Sequence, residues 1–410
     1  MTTQNDITPM HVDVAIAGGG PAGMMLGLLL ARAGVSVVVV EKHSDFLRDF
    51  RGDTVHPTTI DIMDQLGYVD EFLNLPHRRA EKLLAQIGNE MITMADFSRI
   101  PLKHRFIAFM PQWDFLNFIS EKAKAYPHFH LLMETSVAGL IQDDGGVKGM
   151  EVERGEQRQL IYAALVVGAD GRNSLVREFA GLEVMNFGTP SEVLWFKLSR
   201  NANDPEMSMG HTGPRQGFIM IDRGDYWQCG FVVKRTTFEE MRRKEISVFR
   251  EDVAKLCPLP VDRMQEISTW DDVYLLKVRV DRLKQWWTKG LLCIGDAAHA
   301  MSPIGGVGVN LAIQDAVATA NQVVPIFQKG ATPRESDFAA VQKRREFPVR
   351  FLQKLQLMMR SSNRKDEAKV SSSAEAGPPA FIRAIMRWPL LSHLAGRLIG
   401  LGVRSERVNY

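Results

Sequence analysis

Apolar and polar positions alternate from Val12 to Ala17, and the run ends in Gly18-Gly19-Gly20, the pattern of a short buried strand closed by a glycine turn. Pro21 follows where a first helical turn tolerates it, and the spacing predicts a helix through about Arg32. Gly34 ends that helix, and the β-branched run Val35 to Val40 predicts a second buried, parallel strand. A helix is expected over Pro57 to Gly67, with Ile60, Met63 and Leu66 on one face, and another from about Trp113 to Ala125. Lys82 to Phe97 is read as two short strands around Gly88-Asn89. From Phe129 to Val167 alternation predicts an antiparallel meander turning at Asp143 to Gly146 and at Arg154-Gly155. Leu165 to Gly171 then reads as a buried strand ending in a sharp turn.

Beyond Gly181 the pattern changes. Val193 to Phe196, Gly217 to Ile221 and Trp227 to Val233 are short apolar runs of a sheet, and Phe238 to Leu256 has the spacing of a covering helix. Gly290 to Gly295 returns to a buried strand, and Asn310 to Phe327 is an apolar helix. Ser361 to Pro379, aperiodic and polar, reads as a mobile loop. Phe381 to Val403 is apolar but interrupted by Arg383, Arg387, His393 and Arg397, so it either packs on the body, as core-facing helices do, or lies along a membrane surface. The fold class expected is α/β: a Rossmann-type βαβ domain with a β-meander, a mostly β second domain and C-terminal helices. Its discontinuous first domain would take 1–78, 106–180 and 281–345, the second 79–105 and 181–280, and a helical segment 346–410.

Composition narrows the class. The 410 residues suit two or three folding units, and 45% hydrophobic with 24% charged residues is ordinary for a globular chain. A net charge of +2 gives no global field that would draw nucleic acid. Cys229, Cys257 and Cys293 are too few and too far apart for a disulfide framework, a cysteine zinc site or a paired-cysteine redox centre. No clear cluster of metal ligands appears, and no metal is expected. The polar start Met1 to Met10 does not read as a secretory signal, so a reducing, cytoplasmic location is expected.

Three motifs carry chemistry. In Gly18-x-Gly20-x-x-Gly23 the first glycine allows the tight turn, the second lets backbone approach a pyrophosphate, and the third lets helix and strand pack closely. Glu41, at the end of the second strand, sits where a carboxylate accepts bonds from a ribose hydroxyl pair; NAD and the AMP half of FAD fit equally well here. The second motif, Gly168-Ala169-Asp170-Gly171-Arg172-Asn173-Ser174-x-x-Arg177, puts a carboxylate at a strand end and a cap on the next helix. The third is Gly295-Asp296-Ala297-Ala298-His299, followed by Pro303-x-Gly305-Gly306-x-Gly308-x-Asn310. Its small residues let a flat ligand lie against backbone, and its N–H groups could stabilise negative charge.

In this order and at these separations, the motifs resemble the FAD-dependent class A aromatic hydroxylases of the para-hydroxybenzoate hydroxylase type. The resemblance implies that Gly18, Gly19, Gly20, Pro21, Ala22 and Gly23 hold the FAD pyrophosphate, with Glu41 and Lys42 at the adenosine ribose. Arg51 would lie near the flavin, Gln112 on the ribityl–phosphate chain, and Val137 at the adenine. Asp170 would serve both FAD and the nicotinamide cofactor, and Asp296 the ribityl chain. Gly306, Val307, Gly308, Val309 and Asn310 would present N–H groups to the flavin, with Pro303 near its reactive edge. Pro303 and Arg51 are the catalytic candidates. Outside the resemblance, Arg51 reads as a surface salt bridge, Gln112 as a helix cap and His299 as a buried structural histidine.

The family reaction implied is reduction of FAD by NADH or NADPH, addition of O2 as a C4a-hydroperoxide, and hydroxylation of an electron-rich ring. The nicotinamide cofactor binds transiently in this family, which accords with the lack of a second dinucleotide fingerprint. Trp195, Phe218, Met220, Trp227 and Phe231 are candidates to line the substrate site, or core. Tyr226 and Tyr274 match no family motif, so no base is assigned; phenols larger than hydroxybenzoates, quinone precursors and polyketide-like rings stay open. The expected partners are a small aromatic substrate and O2, with no nucleic acid, peripheral membrane contact through 381–403 as an open option, and a monomer or homodimer. The alternatives are an FAD-dependent reductase of isoprenoid-like substrates, a flavin halogenase, whose Trp-x-Trp-x-Ile-Pro signature Trp286-Trp287-Thr288 does not match, and a flavin-binding module without catalysis.

Overall fold

The strand Met10–Ala17 lies inside a parallel sheet because both of its neighbours, Val37–Val40 and the end of Gln157–Gly168, are apolar on both faces. The computed structural model describes residues 8–47, 54–87, 90–188, 192–204, 209–212, 216–233, 238–369 and 388–410. Five strands run parallel in the order Leu291–Cys293, Gln157–Gly168, Met10–Ala17, Val37–Val40, Phe129–Leu132. The register sets Ala17 opposite both Val40 and Gly168, and Gly168 opposite Cys293, so four strands end together at one edge. The helix Pro21–Arg32, buried from Ala22 to Ala31, packs between this sheet and the helices Gln112–Lys124 and Val307–Phe327.

The antiparallel meander comprises Ser136–Asp143, Gly146–Arg154 and the first half of Gln157–Gly168. Phe129–Leu132, grouped with it by alternation, instead pairs in parallel with Val37–Val40. Alternation marks the faces of a strand and not its partner; a strand delivered by a helical crossover, here Gln112–Lys124, arrives parallel.

A second sheet has seven strands in the order Tyr274–Lys277, Glu192–Ser199, Tyr226–Val233, Gln216–Asp222, Met209–Thr212, Lys82–Ile87, Glu90–Asp96. The covering helix expected over Phe238 to Leu256 is two helices, Phe238–Arg242 and Ile246–Ala254. Arg242 to Glu245 supplies four consecutive charged residues and no apolar side chain to carry the stripe across the break. Phe249 packs edge-on to Phe196 and Phe231 at 5.7 and 5.6 Å between ring centroids, each buried ring contributing about 1.5–3 kcal/mol. The three-stranded sheet of Thr54–Val55, Ile107–Phe109 and Arg78–Ala80 lies between these parts in sequence, and Phe109 packs against Val193, Trp195, Ile221 and Val278 of the second.

The helix Glu335–Lys369 continues through 361–369, where a loop was expected. Lys, Arg, Glu and Ala are good helix formers, so propensity extends the helix without an apolar stripe; residues 370–379 lie outside the described residues. In the segment Phe381 to Val403, residues 381–387 also lie outside, and Pro389–Gly400 is a helix packed on Glu90–Asp96. A Cβ at Gly396 would stand 2.0 Å from the Asp96 carbonyl oxygen, and Ala395 and Ile399 join the cluster of Phe97 and Ile107. Among the described residues, no helix is long and apolar enough to cross a membrane.

Candidate active site

The shared strand edge gathers the three motifs. Gly18, Glu41, Ala169-Asp170 and Gly295-Asp296 leave the sheet beside one another, at the carboxyl ends of parallel strands where open α/β sheets bind ligands. Gly18 takes φ +104°, and a Cβ there would overlap the Ala169 carbonyl, so the first two motifs touch backbone to backbone. A Cβ at Gly23 would stand 2.0 Å from the Gly18 carbonyl oxygen, which locks the helix onto its strand. Gly20 differs: a Cβ there meets nothing within 4 Å, so the backbone faces open space. Gly20 precedes the helix as its N-cap without a side-chain cap, Pro21 has no N–H, and the first turn holds no acidic residue. That end is free to take an anion.

Glu41 is fixed by its neighbours. Its Oε2 accepts from the Gly19 N–H at 2.9 Å and its Oε1 from the His43 N–H at 3.1 Å. Lys42 beside it is exposed. Val137 lies in the meander, opposite Val152 at a bulge. Gln112 is half-buried and opens its helix after Pro111, which caps with no side chain. Arg51 lies outside the described residues.

Asp170 accepts from the Val176 N–H at 3.2 Å through Oδ2, while its buried Oδ1 has no hydrogen-bond partner. Burial raises its carboxyl above the ordinary aspartate value, opposed by hydrogen bonds from Ser174 and the Val176 N–H. A buried, unsatisfied carboxylate oxygen among these motifs is what a site for a hydroxyl-bearing cofactor leaves behind. Asp296 accepts from Arg172 Nε at 2.9 Å, and Arg177, buried, donates to the Ala297 carbonyl at 3.2 Å and the Arg172 carbonyl at 2.6 Å. The second and third motifs are thus pinned by two arginines of the second.

The glycine-rich loop follows Pro303, which is half-buried. Gly305 and Gly306 take φ +79° and +61°, and Gly306 begins the helix Val307–Phe327 with no side-chain cap. The helix opens three residues before the apolar run at Asn310, so Val307, Gly308 and Val309 lie in its first turn. Any Cβ on Gly306 would stand 2.2 Å from Thr54 Oγ1, whose hydroxyl donates to the Gly306 carbonyl. Asn310 turns inward, accepting from Thr58 and Thr59 at 2.9 and 2.7 Å. These threonines, about 250 positions away, had no local signature.

His299 is buried and structural in its contacts: Nε2 is 2.6 Å from Asp315 Oδ2, whose Oδ1 accepts from Arg345 Nε at 2.9 Å. Arg345 also meets Glu406 at 3.3 Å. Burial pushes the Asp315 carboxyl up, but the His299 and Arg345 charges and hydrogen bonds outweigh it and leave it below the ordinary aspartate value. Of the five substrate-lining candidates, Phe218, Met220, Trp227 and Phe231 face the helix-covered core. Trp195 alone is on the other face, packed with Val193, Ile221 and Val278 and lying over Gly230.

The residues fit FAD: an uncapped helix end with open space for a pyrophosphate, a fixed acceptor at the second strand, an orphaned carboxylate oxygen and a second uncapped helix end. A family model for an FAD binding domain matches residues 11–353. The chain belongs to the class A FAD-dependent aromatic monooxygenases. It is 33% identical over 311 residues to 6-methylpretetramide 4-monooxygenase of Streptomyces rimosus, across 75% of this chain and 74% of that protein. To rifampicin monooxygenase of Streptomyces venezuelae it is 29% identical over 74% of its length, spanning 62% of that enzyme. In fold it is similar to p-nitrophenol 4-monooxygenase of Pseudomonas putida, with a TM-score of 0.78 at 19% identity, over 97% of this chain and 100% of the other. Members of this monooxygenase family use FAD and NAD(P)H and act on aromatic or polyketide substrates.

Proposed function

We propose that this chain hydroxylates a phenolic ring system of polyketide-like size, using NADH or NADPH and O2, in the cytoplasm. The observation that carries the reading is the register that brings Gly18, Glu41, Asp170 and Asp296 to one sheet edge. The similarity to 6-methylpretetramide 4-monooxygenase supports the size of the substrate.

Bound FAD supplies the redox chemistry with the nicotinamide cofactor and O2. The N–H groups of Ala22 and Gly23, with the positive end of their helix, would hold the pyrophosphate. Glu41 would accept from the adenosine ribose, Val137 would line the adenine, and Gln112 and Asp296 would meet the ribityl–phosphate chain. Asp170, whose Oδ1 has no partner within the chain, would accept from a cofactor hydroxyl. The N–H groups of Val307, Gly308 and Val309, free at the start of their helix, would face the flavin and favour negative charge on it. Phe109 pairs with Thr54, which bonds the glycine-rich loop at Gly306, so Pro303 and the apolar face of Trp195, Val193, Ile221 and Phe109 would bound the site and exclude water.

The test is NADH and NADPH oxidation by the holoenzyme across monocyclic and polycyclic phenols, with product mass measured. A polycyclic phenol should stimulate oxidation and gain one oxygen atom. No stimulation by any aromatic, or turnover without O2, would overturn the reading.

A further inference from the structure

A second concavity of about 1130 Å³ runs along the outer face of the helix Glu335–Lys369, lined by that helix from Ala339 to Met358 and walled by Phe187 and Trp287. Nothing in the flavin site uses it. Its length is about 28 Å at ~1.5 Å per helical residue, and a helix with side chains is about 10 Å across. Phe347 and Phe351, one helical turn apart with ring centroids 6.4 Å from each other, are 51% and 41% exposed and form one contiguous apolar patch.

The rim is cationic. Among the described residues Arg282, Lys343, Arg350 and Lys354 line it against one carboxylate, Glu346, while Lys284, also in the lining, is paired with Glu183 at 3.2 Å. Glu346 is 3.8 Å from both Arg282 and Arg350 and is shared between them. Arg282 is buried with its guanidinium 5.2 Å from the Phe187 ring, and burial, with Arg350 nearby, pulls its pKa below the ordinary arginine value against the pull of Glu346. The groove therefore carries more positive charge than its own carboxylate neutralises.

We infer that this groove docks an acidic amphipathic helix of a partner protein, its apolar face on Phe347 and Phe351 and its carboxylates on Arg350, Lys343 and Lys354. Charge decides against other occupants. A second copy docking face to face through the same groove would oppose like charges. The chain's own segment 370–387, outside the described residues, carries Arg383 and Arg387 against Glu375 and is itself net basic. Helix-in-groove docking reads an apolar stripe at helical spacing, and complementary charge sets partner choice and encounter rate.

The probe is a fluorescent Leu/Glu amphipathic peptide of about 18 residues, with a Leu/Lys peptide of the same pattern as control, titrated by anisotropy into the full-length holoenzyme. The Leu/Glu peptide should bind, weaken as salt is raised, and lose about tenfold or more in affinity in the Arg350→Glu/Lys354→Glu variant. Phe351→Ser should weaken it similarly, with flavin content and basal NAD(P)H oxidation unchanged in both. The proposal is overturned if the Leu/Glu peptide does not bind, if both peptides bind alike, or if binding ignores salt and charge reversal. Recruitment to phosphatidylglycerol vesicles with no peptide binding would overturn it in favour of a membrane surface.

Discussion

Arg172 Nε lies 2.9 Å from Asp296 Oδ2, so residues 124 positions apart in two motifs form one ion pair at the sheet edge. Both side chains are about a third exposed, so the pair orients Asp296 more than it stabilises the fold. Asp296→Ala should weaken FAD binding by about 10- to 100-fold, the worth of a charge-assisted hydrogen bond. Arg172→Ala should have a smaller effect in the same direction. Fluorescence titration of the apoprotein with FAD measures both, and unchanged affinity in Asp296→Ala would remove it from the site.

Gly20 and Gly23 separate binding from folding. Gly20→Val places its side chain in open space, so the Tm of the apoprotein should fall by less than about 5 °C relative to the parent apoprotein, while FAD content drops at least about tenfold. Gly23→Ala would drive a methyl group into the Gly18 carbonyl, and soluble yield and Tm should both collapse. A Gly20→Val protein that keeps its flavin would refute pyrophosphate binding there.

Much of this arrangement was legible in the chain because it is local. Gly18 to Gly23, the β-branched run ending at Val40 and the Gly168 to Ser174 turn each declare themselves within a few residues. What was not legible is pairing at long range. Phe129–Leu132 has the alternation of a meander strand, but its helical crossover places it in the parallel sheet. Thr54, Thr58 and Thr59 hold the glycine-rich loop across the whole chain, with no spacing to mark them. The choice of face also escaped: Trp195 and Trp227 are both apolar strand residues, and only the sheet shows that they point opposite ways.

The buried network around Asp315 should appear in acid. Its folded-state carboxyl is below the ordinary value of 3.8, so its stabilisation is complete above that pH and is lost as pH falls through the folded value. Tm measured from pH 7 downward should fall steeply below about pH 4 in the parent. Asp315→Asn should be less stable at pH 7 by about 1–3 kcal/mol, having left His299 without its carboxylate and Arg345 with Glu406 as its remaining one. The gap between the two proteins should narrow toward low pH, and a gap that stays constant would contradict the shift.

Trp195 lies over Gly230, where a Cβ would stand 2.9 Å from the indole. Gly230→Ala should therefore push the ring away from the sheet and toward the proposed substrate space. The expected outcome is a KM for bulky phenols raised severalfold, with FAD content unaltered. Steady-state kinetics on a small and a large phenol would show it, and an equal effect on both would place Trp195 in the core instead.

The central claim is that three distant motifs close on one flavin. Its most direct measurement is the flavin content of the protein as purified, read from the visible spectrum and from FAD released on denaturation. About one FAD per chain is expected, as for a resident cofactor held by the fold. Protein that is colourless, and that takes up no FAD when incubated with excess and then dialysed, would contradict the account.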